Sequence, residues 1–114
     1  MAMTLTMQQA LTLWRHVLTQ SLADDGPDLS ARQMAILLTV YGEDPPHTVR
    51  GLAERLNIPK PAVTRALDTL GRSDLLRRKR DAVDQRNILV QRTVKGSVFL
   101  SEFADIIAVK AREL

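Results

Sequence analysis

Apolar residues along this chain recur mostly three or four places apart, the spacing of helices that bury one side. From about Thr4 to Leu22 the apolar stripe is Leu11, Trp14, Leu18 and Leu22. Gly26 and Pro27, within ADDGPD (Ala23 to Asp28), break it as a loop does. Ser30 then opens a second helix, and Gln33 stands where a capping box needs its reciprocal amide. Met34, Leu37, Leu38 and Tyr41 follow helical spacing and are expected to face a core. Pro45 and Pro46 close the next loop, YGEDPPH (Tyr41 to His47).

A compact pair comes next. Thr48 is a suitable N-cap for a short helix, Val49 to Leu56, with Leu52, Ala53 and Leu56 inward. Asn57 and Ile58 make a turn, and NIPKPAVTRALDTL leads into a helix from about Lys60 to Arg72. Two short helices joined by a few turn residues make a helix-turn-helix. Pro59 and Pro61 suit its start, because the first N–H groups of a helix have no acceptor within it and proline fixes the φ of the first turn. They also remove donors that could have met a phosphate there. At about 100° per residue, Val63, Ala66, Leu67 and Leu70 fall within one arc of roughly 100°. Pro61, Thr64, Arg65, Asp68 and Arg72 fall within a second arc opposite the first. That polar side is either solvated surface or a surface for reading a partner.

Beyond it, two strand-like runs, Leu75–Arg80 and Asn87–Arg92, flank a polar loop from Asp81 to Arg86. Thr93 is placed to cap a last helix with Val94, Val98, Phe99, Phe103, Ile106 and Ile107 as its apolar residues. The expected fold is mainly α with a small β-hairpin wing, a winged helix-turn-helix filling one domain over residues 1–114.

Composition narrows the chemistry. The chain has no cysteine, which excludes disulfides and thiolate metal sites. His16 and His47 are isolated, with no HExxH pattern or neighbouring carboxylate pair, so neither a metal nor a cofactor is expected. No nucleophile–base pair or glycine-rich phosphate loop stands out, and no enzyme is expected. No apolar run is long enough to span a bilayer, and the N-terminus lacks a signal peptide's order, so a cytoplasmic protein without membrane contact is expected. Net charge is only +3, yet residues 47–95 hold twelve Lys or Arg against five acids, while both ends are net acidic. A basic middle suits either solubility or nucleic acid.

The position of the polar side favours the second reading. It lies on the second helix of a helix-turn-helix, the element that enters a major groove, and Arg65 carries a guanidinium suited to guanine O6 and N7. RRKR (Arg77 to Arg80) and Arg86 follow on the hairpin. Strand alternation sends Arg78 and Arg80 one way and Arg77 and Lys79 the other, so the four cannot touch DNA together.

The stretch from Leu52 to Gly96 resembles the winged-helix core of the multiple-antibiotic-resistance regulator (MarR) family of bacterial transcription factors. The matching motifs are Val63-Thr64-Arg65, Asp74-Leu75 in place of Gly-Leu, Asp84-Gln85-Arg86 with Ile88 and Val90, and Thr93-Val94-Lys95-Gly96. The resemblance implies a homodimer with interleaved terminal helices, two recognition helices one DNA turn apart, and control by a small, often aromatic or anionic, effector. It implies that Lys60, Pro61, Thr64 and Arg65 face base edges or nearby phosphates of double-stranded DNA. Arg86 would reach toward the minor groove with Asp84 shaping the wing, and Arg78 and Arg80 would add cationic contacts. Leu11, Trp14, Leu18, Phe99, Phe103, Ile106 and Ile107 are the expected dimer interface.

Three departures qualify this expectation. Arg92 stands where the family usually has a leucine packed under the wing, so its charge either snorkels outward or meets a phosphate. The wing tip lacks the usual proline. The sequence stops at Leu114, before the family's further C-terminal helix, so a smaller or differently arranged dimer is expected. The bland alternatives are that Trp14 packs in a helix–helix contact rather than sensing a ligand, that Asp84 and Arg86 are only a local ion pair, and that RRKR is soluble surface or an import signal. A winged helix that binds another protein, with no DNA specificity of its own, is the rival function.

Overall fold

A computed structural model describes residues 3–114. Among the described residues there are five helices and three strands: α1 (Met7–Ala23), α2 (Ala31–Gly42), β1 (His47–Thr48), α3 (Val49–Leu56), α4 (Lys60–Arg72), β2 (Leu76–Arg80), β3 (Ile88–Arg92) and α5 (Val94–Arg112). The mainly α fold with a β-hairpin wing is as the sequence predicts. The chain divides into two compact units, residues 29–99 and a second made of residues 1–28 with 100–114.

Residues 29–99 hold the helix-turn-helix and the wing. Ser30 and Gln33 form the expected capping box of α2, bonding at 3.1 and 2.8 Å. The buried side of α2 is Ile36, Leu37 and Val40, whereas Leu38 is 47% exposed. The expected core stripe of Met34, Leu37, Leu38 and Tyr41 is therefore rotated. Spacing alone gives a helix two overlapping apolar sides, and α4, packed against α2, selects the one that is buried. In α3, Leu52 and Ala53 are buried, and Thr48 caps the helix by accepting the Gly51 N–H at 2.9 Å. Asn57 ends α3 at φ 55°, a left-handed conformation that asparagine tolerates. Ala62, Val63, Ala66, Leu67 and Leu70 bury one side of α4 against α2, α3 and β2.

The sheet has three strands, in the order β1-β3-β2, all antiparallel. The sequence shows only the hairpin. Strand β1 is two residues long and becomes visible only through its partners, with His47 opposite Val90 and Thr48 opposite Leu89. At the base of the wing Asp74 takes φ 56°, which explains why glycine is usual there and why aspartate is an acceptable substitute. The Tyr41 hydroxyl accepts the Thr93 N–H at 2.9 Å and lies 2.8 Å from the Leu75 carbonyl, tying α2 to both strand bases. Gly96 sits against this hydroxyl and the Leu75 carbonyl, and any Cβ there would collide with both. Thr93 caps α5, accepting from Gly96 N–H at 2.9 Å and donating to the Asp74 carbonyl at 2.6 Å.

In the other unit, Thr6 and Gln9 form a capping box at the head of α1. Val17 is the buried residue of this helix. In α5, Phe103 is buried, while Ile106 and Ile107 are half-buried. No helix among the described residues is long and apolar enough to cross a membrane.

Candidate nucleic-acid interface

The polar side of α4 is open within residues 29–99. Lys60, Pro61, Thr64 and Arg65 are all exposed. Pro59 precedes the helix without a side-chain cap, and the Ala62 and Val63 N–H groups turn back to the Pro59 carbonyl at 2.9 and 3.2 Å. Pro61 has no N–H. The start of α4 therefore presents side chains rather than a ring of backbone donors, as the two prolines predict.

The wing carries its arginines in different states. Arg78 points to the same side of the sheet as its cross-strand partner Val90, which is buried. From there its guanidinium reaches α4 and pairs with Asp68 at 2.6 Å. Arg80 donates to the Gln85 carbonyl at 2.7 Å and braces the loop across the hairpin. Arg77 and Lys79 lie opposite Gln91 and Leu89, on the other side, and both are exposed. The alternation expected from the sequence is thus present, and each of Arg78 and Arg80 already engages the chain itself.

The loop is held by its carboxylates. Asp81 accepts from the Val83 N–H at 2.9 Å, and Asp84 accepts from the Arg86 N–H at 3.1 Å. The Arg86 guanidinium also meets Asp84, Nε to Oδ1 at 3.1 Å and Nη2 to Oδ2 at 3.2 Å, with its side chain 87% exposed. The side-chain and backbone bonds from Arg86 hold the Asp84 carboxyl below the usual carboxylate range, with Arg50 adding a smaller effect of the same sign. Asp84 thus orients Arg86, and the ion pair itself adds little stability in so exposed a place.

Two residues were not legible as part of this region. Asp68 is visible in the sequence only as one member of a polar helix side, since its partner is ten residues away on a strand. Arg92 is exposed, as an outward-reaching charge would be, but it is also tied to its own chain: its Nε donates to the Val40 carbonyl at 2.9 Å and its Nη2 to the Glu43 carbonyl at 2.8 Å. The end of α2 offers acceptors without helical partners, and a guanidinium satisfies two of them.

Among the described residues no group of His, Asp and Glu is arranged to hold a metal. A helix-turn-helix whose second helix is open on its polar side, followed by a hairpin that joins the short β1 in one three-stranded sheet, defines the winged helix-turn-helix class. The MarR family model matches residues 29–88, more than half of the chain, and the chain belongs to the MarR family. The fold is similar to that of the YusO protein from Bacillus subtilis, at 24% identity and TM-score 0.76, over 94% of this chain and 75% of that one. It is also similar to a mutant of MepR from S. aureus, at 20% identity and TM-score 0.77, over 96% and 82% of the two chains. A MepR–DNA complex from S. aureus aligns at 24% identity and TM-score 0.70, over 89% of this chain and 77% of that one. No curated protein matches the chain.

Proposed function

We propose that this protein is a sequence-specific, double-stranded-DNA-binding transcriptional regulator that works as a dimer and represses by occupying promoter DNA. The observation that carries the reading is the open polar side of α4, with Lys60, Pro61, Thr64 and Arg65 exposed beside a basic hairpin. Membership of the MarR family agrees with it, and the similar MepR structure is itself a DNA complex. Arg65 and Thr64 read base edges in the major groove, and Lys60 meets a phosphate or an adjacent base. Asp84 presents Arg86 to the minor groove, and Arg78 and Arg80 hold the wing in place and add positive potential.

Dimerisation is supported by α1. Leu11, Trp14 and Leu18 are 65%, 52% and 45% exposed, an apolar stripe on a helix that a second copy would cover. In the same unit Ile106 and Ile107 are half-buried and extend the proposed interface, whereas Phe103 is already enclosed and offers a partner less; Phe99, in residues 29–99, is half-buried as well.

Selection from a random duplex pool, followed by fluorescence anisotropy across a salt series, tests the reading. Enrichment of an inverted-repeat site whose affinity falls steeply with salt is the expected result. Absence of salt-sensitive duplex binding at micromolar protein would overturn it and turn attention to a protein partner.

A further inference from the structure

Helix α2 ends in a turn on which the parts of the proposed DNA-reading surface converge. Glu43 ends this helix, and its carboxylate pairs with Arg55 of α3 at 3.1 Å. The Glu43 carbonyl accepts from Arg92 of β3 and lies 3.0 Å from the His47 ring nitrogen of β1. The Tyr41 hydroxyl reaches both strand bases, and the Arg92 guanidinium carbon lies 5.8 Å from the Tyr41 ring centroid.

We propose that Arg92 is a positioning residue that clamps the wing to the last turn of α2 and so sets the pitch of the wing against the recognition helix. The inference rests on the DNA-reading role proposed above. A leucine here would fill space beneath the hairpin but could donate to neither carbonyl. The planar guanidinium does so with two donors in fixed relation, which fixes direction as well as distance. On the other strand Arg78 ties β2 to Asp68 of the recognition helix. The hairpin is therefore held at two places, one on each strand, by arginines that reach different helices.

The lever is long enough to matter. A five-residue strand spans about 17 Å, so a tilt of roughly 10° at its base moves the tip by about 3 Å, a full hydrogen-bond length. Arg86 sits in the loop beyond that strand, so its meeting with the minor groove depends on the clamp. Arg92 acts through the wing and touches no nucleic acid.

The test compares the parent with Arg92→Leu, Arg92→Lys and Arg92→Gln on the selected operator, after thermal melts have established which variants fold. Arg92→Leu should bind about tenfold more weakly, with the salt slope reduced by about one phosphate contact and minor-groove protection lost while major-groove protection stays. Arg92→Lys, which restores one charged donor, should recover part of the affinity and the minor-groove protection. If Arg92→Leu fails to fold, Arg92→Lys and Arg92→Gln provide the comparison. They are expected to lose minor-groove protection in graded order, with Arg92→Gln losing more. Parental affinity, slope and footprint in the folded variants would overturn the proposal, as would an equal loss of major- and minor-groove protection. A parent that binds no duplex would sink the DNA-reading role instead. Amide exchange over Ile88–Arg92 in the free protein then decides for Arg92: faster exchange in the folded variants supports the clamp, and unchanged exchange overturns it.

Discussion

In helix α4 the apolar residues Val63, Ala66, Leu67 and Leu70 are between 0% and 4% exposed, while in helix α1 Leu11, Trp14 and Leu18 stand 45% to 65% exposed. Both helices show apolar residues at the same spacing. In α4 the chain supplies the cover from α2, α3 and β2, which leaves the polar side as the part available to a partner. In α1 the one buried side chain is Val17, and the apolar stripe remains available. The pattern establishes that a helix has a side to bury. What buries it is a tertiary or quaternary fact, and that fact decides which side is left open to a partner.

The strongest way to break the comparison is in the core. Leu67→Ala should destabilise residues 29–99 by about 2–5 kcal/mol, read by urea unfolding, because it opens a cavity under a fully enclosed side chain. A cost below about 1 kcal/mol would mean that α4 is not packed as described.

Next is the open stripe. Changing Trp14→Asp and Leu18→Asp together should weaken self-association by at least about 2 kcal/mol, measured by sedimentation equilibrium. The monomer's own unfolding should change less, since neither side chain is buried in the single chain. A variant that stays dimeric at the parent's affinity would remove α1 from the proposed interface.

A smaller effect is expected on the polar side of α4. Arg65→Ala should lose roughly 1–3 kcal/mol on the selected operator and discriminate less at one base position, with thermal stability unchanged. Equal affinity of the parent and Arg65→Ala proteins for the selected operator would take Arg65 out of the reading set.

The least effect belongs to the wing loop. The Asp84 carboxyl titrates below its ordinary value, so its contribution is fully present above the ordinary carboxylate range and lost only as pH falls through the lowered value. Carbon-detected titration should show Asp84 still ionised at the pH where a free aspartate side chain protonates, and the loop should not respond to pH near neutrality. In an Arg86→Ala variant the depression should shrink, since the Arg86 side chain is its largest cause, while the backbone N–H of residue 86 still donates to the carboxylate.

Much of the proposed reading surface was legible in the sequence because its signals are local. Thr48, Asn57 and the two prolines mark the ends of α3 and α4, and each acts within one helical turn. The rotation of α2 was not legible, because Leu38 and Ile36 are equally apolar and only the packing of α4 distinguishes them. Strand β1 escaped for a similar reason: two residues have no periodicity, and their pairing with Leu89 and Val90 is a long-range event. Arg92 shows the limit most clearly. Its charge suggested solvent or phosphate, and the side chain is exposed, but its bonds to two carbonyls at the end of a helix some fifty positions earlier had no local signal.

By itself the sequence determined where α2, α3 and α4 start, which side of α4 is polar, and that the middle of the chain is basic, whereas α1, expected from about Thr4, starts at Met7. These follow from caps, prolines, spacing and charge, all of which act over a few residues. Only the tertiary structure decided which apolar sides are covered and which arginines bind their own chain, as with Arg78 on Asp68 and Arg92 on α2. Burial and hydrogen-bond partnership depend on distances between remote segments, and no local pattern encodes those distances.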